Sequence, residues 1–270
     1  MNKNDRKMVG LSLGSGGIRG LAHIGVIKVL LENKIPIDFI SGASAGALVG
    51  SYFALFGEVN SLEKLILKNP KDLLPMFFDF SLRGGFISGE KMDIFLKKTL
   101  KNTDFSKTKI PFFTVSTDLI SGQPVFSSTG KIATAVRGSI SIPVVFKPLS
   151  NEGKLLVDGG ISDPVPVSIL KQNGANFVIA VNLYHHNEFN NKKFTVSNIA
   201  MRSTRIALHN LSKLAVRNAN LVLNPDLSFY INELNMADYI QKDRIKEMIA
   251  IGEQEAIKSL PQIKKLLNIK

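Results

Sequence analysis

Short apolar runs alternate with longer segments of helical period along most of this chain. Residues 8–13 are an apolar run stopped by Gly14, the pattern of a buried strand. Leu21, Ile24, Val26, Ile27, Leu30 and Leu31 then recur at helical spacing, and Asn33-Lys34 ahead of Pro36 ends that helix. A second short strand over 37–40 runs into "SGASAG" at 41–46 and at once into a helix of small residues over 45–56. Residues 62–101 read as mostly helical, with breaks at Pro70, Pro75 and Gly84-Gly85. Strands follow at 112–116 and 123–127, the second as hairpin partner of the first. A helix covers 132–138, a strand covers 155–157 and ends in "DGG", and a proline-bounded helix centres on 165–173. A strand over 177–182, a helix over 196–215, a strand over 221–224 and an amphipathic helical stretch over 236–269 complete the pattern.

Strands that alternate with helices through short connections predict a largely parallel sheet with helices on both faces, a single α/β/α domain. No internal repeat, low-complexity tract or linker divides it. The domain is expected to span 1–270, with its core over about 8–225 and a helical extension over 236–270. Composition adds little to this: 44% of the residues are hydrophobic, enough for a sizeable core. The net charge of +12 favours an anionic partner, nucleic acid or acidic lipid, but equally describes a solvated lysine-rich surface. The absence of cysteine excludes disulfides, thiolate nucleophiles and thiolate-bound metals. The N-terminal residues lack the pattern of a signal peptide, and no apolar run approaches the ~20 residues of a membrane span. A soluble cytoplasmic protein is expected.

Three strand ends carry unusual residues, and such ends are where sites collect in α/β sheets. They are Gly14-Ser15-Gly16-Gly17-Ile18-Arg19-Gly20, Gly42-Ala43-Ser44-Ala45-Gly46 and Asp158-Gly159-Gly160. The second is a G-x-S-x-G pattern between strand and helix, the context of a nucleophile elbow, where only small residues fit around an exposed serine. Ser44 would then need a base and a site for an oxyanion. Ser44, Asp158 and His185 or His186 have the chain order of an α/β-hydrolase triad, yet only two strands precede Ser44 where that fold needs several. His23 and His209 fall inside helices as packing or surface residues. The simpler arrangement is a dyad in which Asp158, at a strand end and followed by glycines, takes the proton of Ser44. The N–H groups near Gly16 and Gly17 would then face the oxyanion.

At this point the sequence closely resembles the patatin-like phospholipase family. The residues that carry the resemblance are "SGGIRG" (15–20), "GASAG" (42–46) and "DGG" (158–160), in that order. The stretches "STDLISG" (116–122), "AVRGSISIPVVFKP" (135–148) and "DPVPVSILKQNGANFVIAVNL" (163–183) add to it. The resemblance implies a three-layer α/β/α sandwich around a central, mostly parallel sheet. It implies hydrolysis of carboxylic esters in phospholipids or lysophospholipids, with Ser44 as nucleophile, Asp158 as base and Gly16, Gly17 and Ile18 as oxyanion donors. Arg19 would brace the loop or draw an anionic headgroup. No metal or organic cofactor is implied, and nothing points to nucleic acid or to an oligomer. Two departures stand out: Ser15 replaces the first glycine of the loop motif, and Ser162-Asp163 stands where the family often has asparagine, an expected structural difference.

A lipid hydrolase must reach an interface. Residues 73–86, "LLPMFFDFSLRGGF", could serve as a lid or surface anchor, or simply cap the core. Lys258, Lys264, Lys265 and Lys270 could touch anionic lipid as a peripheral contact, or form the solvated face of a docked helix. Three rival readings arise. A dinucleotide-binding protein would want an acidic residue ending the second strand, where Asp38 instead lies near its start. A catalytically silent lipid-binding protein, and an acyltransferase or thioesterase, would keep the same residues.

Overall fold

Every residue of β1 (Val9–Leu13) and β7 (Phe177–Val181) is buried, because both faces of each strand are covered. Val9, Leu11 and Leu13, with Phe177, Ile179 and Val181, enter the larger of two cores. Val178 and Ala180 point the other way, into a smaller core with Val165, Val167, Leu170 and Ala175. Two apolar layers on opposite faces of one sheet make the α/β/α sandwich. The computed structural model describes residues 6–68, 70, 88–143, 145–185, 196–231 and 241–269.

The helices of the larger layer include α1 (Leu21–Glu32), α2 (Ala45–Phe56), α3 (Asn60–Lys68), α4 (Glu90–Thr99) and α5 (Ile132–Ser139). The smaller layer is covered by α6 (Val167–Gln172), whose Leu170 packs under β1. The chain continues through α7 (Val196–Ala215) and ends in α8 (Lys242–Leu267). α8 lies hard against α1: a Cβ on Gly25 would run into Ile249 O, and one on Gly252 into Ala22 O. Ile245, Met248, Ile249, Ala256 and Ile263 of α8 are buried in the main core, and Lys258 and Lys265 face out. No helix among the described residues is long and apolar enough to cross a membrane.

The remaining strands are β2 (Phe39–Ala43), β3 (Phe112–Asp118), β4 (Pro124–Ser127), β5 (Leu149–Asn151), β6 (Lys154–Asp158) and β8 (Leu221–Leu223). Their order is β5-β6-β3-β2-β1-β7-β8, with β4 on β3. β3, β2, β1, β7 and β8 pair in parallel, whereas β4, β5 and β6 add antiparallel pairs.

Register on β3 decides where the site falls. β2 pairs with residues 112–115 of β3, and β4 with residues 114–117, so these two flank β3 on opposite sides. β6 pairs with residues 116–118, which overlaps β4 and puts β6 on the side of β2. β2 and β6 therefore meet end to end. Ala43 is opposite Val115, and Asp158, arriving from the other direction, is opposite the next residue, Ser116.

Two elements differ from the sequence expectation. β2 runs on through Ser41, Gly42 and Ala43, small residues of low strand propensity that the ladder with β3 holds extended. β5 was not expected. It forms a two-residue hairpin with β6 through Glu152 (φ 50°) and Gly153 (φ 75°). Asn-Gly or Asp-Gly would have announced such a turn, and Glu-Gly does not. The segment 73–86, His186 and Lys270 lie outside the described residues.

Candidate active site

β2 ends at Ala43 and α2 begins at Ala45, so Ser44 alone makes the turn. Its φ of 52° and ψ of −119° are a conformation that costs a non-glycine residue about 1–3 kcal/mol and persists only where surroundings enforce it. The flanking glycines are part of that enforcement. A Cβ on Gly42 would run into Gly46 O, and one on Gly46 into Leu13 O. The Ser44 carbonyl accepts from the N–H groups of Ala47 (2.9 Å) and Leu48 (3.1 Å) and starts the helix. Its hydroxyl therefore stands at the positive end of α2.

That hydroxyl donates to Asp158 Oδ2 at 2.6 Å. The other carboxylate oxygen, Oδ1, accepts from the N–H of Gly160 at 2.8 Å. The main chain of Asp158 is held on both sides: its N–H donates to Ser141 O at 2.9 Å, and its carbonyl accepts from Thr117 Oγ1 at 2.8 Å. Ser44 and Asp158 are 4% and 7% exposed. Burial pushes the Asp158 carboxyl up to about 6, against the pull of the bonds from Ser44 and Gly160. At neutral pH it is an anion held out of water, a basic carboxylate aimed at one hydroxyl.

The glycine-rich loop after β1 is the third part. Gly14 N–H donates to Val181 O (3.0 Å) and Ser15 N–H to Pro164 O (2.8 Å). His23, fully buried in α1, bonds Gly14 O through Nε2 at 2.7 Å; a carbonyl only accepts, so Nε2 carries the proton. Burial keeps this ring neutral, with its pKa lowered to about 4. Arg19 donates from Nε to Gly16 O (3.2 Å) and from Nη1 to Leu183 O (2.9 Å), with its guanidinium 4.6 Å from the centre of the Tyr184 ring. Arg19 thus ties the loop to the end of β7. Gly20 packs directly on Ala45, joining the loop to the elbow helix. Gly17 is left-handed (φ 59°), and a Cβ there would meet nothing. Among the described residues, no protein acceptor takes the N–H of Gly16, Gly17 or Ile18.

Ser15, the departure from the glycine motif, has a backbone that needs no glycine, since its φ is not positive. It sits against Gly160, where a Cβ would come within 2.6 Å of Ser15 Oγ. Its N–H is spent on Pro164, which leaves the next three for another acceptor. Gly159 has a comparable reason, since a Cβ there would enter the carbonyl of Val115. Ser162 Oγ bonds Thr117 Oγ1 (2.8 Å), and Asp163, pushed up to about 6 by burial, accepts from Val165 N–H.

An apolar cavity opens beside Ser44. Ile18 of the loop, Leu48 and Val49 of α2, Leu62 and Ile66 of α3, and Met92 of α4 line it. Leu48 lies one turn on from Ser44, on the same face of α2.

The other sequence candidates lie apart. His209 Nδ1 bonds Tyr184 O (2.6 Å), and His185 is exposed in the turn after β7. Asp38 pairs with Arg6 (2.5 Å) and accepts from Val9 N–H (2.7 Å), so it pins the N-terminal segment to β1. Thr117, Ser139, Ser141 and Tyr184 touch the site without having been singled out as site residues. Thr117, Ser139 and Ser141 belong to stretches that carry the family resemblance, which was the only available signal for them.

A strained serine elbow, a carboxylate partner and a glycine loop on an α/β/α sandwich define a class of hydrolase-like proteins. The model of the family described as patatin-like phospholipase matches residues 11–171, and the chain belongs to that family. An uncharacterized NTE family protein of Mycobacterium bovis is 36% identical over 176 residues, which are 65% of this chain and 49% of that one. The Neurospora crassa protein named lysophospholipase nte1 is 32% identical over 66% of this chain and 12% of its own length. The chain thus spans about half of the mycobacterial relative and a small part of the fungal one. Among solved structures, VipD from Legionella pneumophila superposes with a TM-score of 0.62 at 15% identity, covering 96% of this chain and 67% of VipD.

Proposed function

We propose that this protein is a serine acyl-lipid hydrolase that cleaves carboxylic esters of lysophospholipids or phospholipids through a Ser44–Asp158 dyad. The observation that carries the reading is the 2.6 Å bond between Ser44 Oγ and a buried carboxylate, at the mouth of an apolar cavity. The name of the fungal relative, lysophospholipase, supports a single-chain lipid as substrate.

In this mechanism Asp158 takes the proton as Ser44 Oγ bonds the ester carbonyl carbon. The carbonyl oxygen becomes an oxyanion and turns to the N–H groups of Gly16, Gly17 and Ile18. Each such donor is worth about 10²–10³ in rate where a site excludes water. The proton on Asp158 passes to the leaving alcohol, and the acyl chain stays on Ser44, its tail in the cavity. Water then loses a proton to Asp158, attacks the acyl carbon and releases the fatty acid. Ser44 regains its proton. The protein reaches its substrate as a peripheral partner of the lipid surface.

The test is hydrolysis of lysophospholipid, phospholipid and p-nitrophenyl butyrate, together with mass mapping of a fluorophosphonate adduct. Ester cleavage with the adduct on Ser44 is the expected result. Failure of the probe to label, with no cleavage, would favour a silent lipid-binding protein. Preferential transfer of the acyl group to an added alcohol or thiol would make the protein a transferase.

A pH dependence follows from Asp158. The carboxylate must be ionised to act, and its pKa lies at about 6. Below that value kcat/KM falls about tenfold per unit of pH, and above it the rate levels off. A rate still flat at pH 4.5 would mean that another group accepts the proton.

A further inference from the structure

Ser44 and Asp158 come from different strands, and one short segment at the end of α5 touches the main chain of both. Ser44 N–H donates to Ser139 Oγ at 2.9 Å, and Asp158 N–H donates to Ser141 O at 2.9 Å. Both Ser139 and Ser141 are fully buried. The segment is itself anchored: Ser141 Oγ donates to Arg137 O (2.8 Å) and accepts from Arg137 Nη1 (2.6 Å). The Arg137 guanidinium, also buried, faces the Phe146 ring at 5.4 Å.

We propose that Ser139 is a positioning residue for the nucleophile. Its hydroxyl oxygen, as acceptor for the N–H of Ser44, locks the elbow in the conformation from which Ser44 Oγ reaches Asp158. This rests on the serine-hydrolase reading above and adds a residue outside the G-x-S-x-G and D-G-G motifs.

The physical reason lies in the way β2 stops. At Ser44 the ladder with β3 has ended, and β6 already occupies the line that β2 would have continued along. A buried N–H at that point has no strand partner and must find another acceptor. Without one, the left-handed φ of Ser44 would be strained and its N–H unpaired together. Rotation of the elbow would relieve both and carry the hydroxyl away from the carboxylate. Ser139 closes that route. The N–H groups of the two dyad residues are held differently: that of Asp158 by a backbone carbonyl, which no substitution removes, and that of Ser44 by a side chain, which one does.

The experiment compares Ser139→Ala and Ser139→Thr with the wild type. It measures kcat and KM on p-nitrophenyl butyrate, the fluorophosphonate labelling rate, the pH profile and the melting temperature. In Ser139→Ala, kcat and labelling are expected to fall together by about 30-fold, the scale of a small misplacement of reacting groups, with KM within about twofold. The acid limb of the profile is expected to move upward from about 6, because Asp158 keeps its backbone anchors but loses the Ser44 hydroxyl bond that holds its pKa down. Ser139→Thr retains the acceptor and is expected to restore most of kcat. Unchanged kcat in Ser139→Ala would overturn the proposal. So would an equal loss in both variants with a lowered melting temperature, which would mark a packing role. A wild type that neither cleaves the ester nor labels would overturn the hydrolase reading, and this inference with it.

Discussion

Asp158→Asn is expected to lower ester hydrolysis by about 10⁴-fold while raising the stability of the protein above pH 6. The first effect follows from geometry. Asp158 Oδ2 is the acceptor of the Ser44 hydroxyl, and an amide in its place cannot take the proton away. Because the two residues act as one unit, Ser44→Ala combined with Asp158→Asn should be no slower than either alone. The second effect follows from linkage. The folded carboxyl has its pKa raised to about 6 from an ordinary 3.8, so the folded chain binds the proton more tightly than the unfolded one. The stability from that uptake is full below about pH 4 and is lost as pH rises through 6. At pH 8 the wild type holds a buried anion at a cost that asparagine does not carry. Melting curves of both proteins at pH 5 and pH 8 measure this, and the gap should open at the higher pH. A variant that keeps more than a tenth of the activity would remove Asp158 from the mechanism.

Gly46→Ala is expected to destabilise the fold by about 3 kcal/mol and to abolish activity in whatever still folds. One methyl group suffices, because it would enter the van der Waals shell of Leu13 O and lie 2.8 Å from Gly14 O. Both neighbours are backbone of the central strand and its loop, which cannot swing aside as a side chain would. The start of α2 would have to lift off β1, and Ser44 would lift with it. Denaturant unfolding gives the size of the effect. Tolerance of alanine within about 0.5 kcal/mol, the range of an ordinary surface change, would mean that the elbow and the loop are not packed as tightly as the structure places them.

These consequences were unequally visible in the sequence. The elbow was legible because a G-x-S-x-G pattern needs only its strand-before and helix-after context, and both are local. The candidate base was legible, since D-G-G at a strand end is also local, but in isolation it reads first as a turn. Ser139 was not legible. Its role depends on which group accepts the Ser44 N–H where the β2 ladder ends, and that acceptor lies 95 residues away in the chain. Arg19 stood between two readings, loop brace and headgroup ligand. Its bonds to Gly16 O and Leu183 O and its stacking on Tyr184 are those of a brace.

Sequence by itself determined the α/β/α class and the family and marked the three pieces of the candidate site, because each rests on short-range period or on residues within a few positions of one another. Which pieces meet was decided only by the tertiary structure. Ser44 and Asp158 are 114 residues apart and touch because β2 and β6 abut on the same side of β3, one at Val115 and the other at Ser116. Strand register is a property of long-range pairing. A shift of one residue on β3 would turn the strand's side chains to the opposite face and part the hydroxyl from the carboxylate, with no change in either motif.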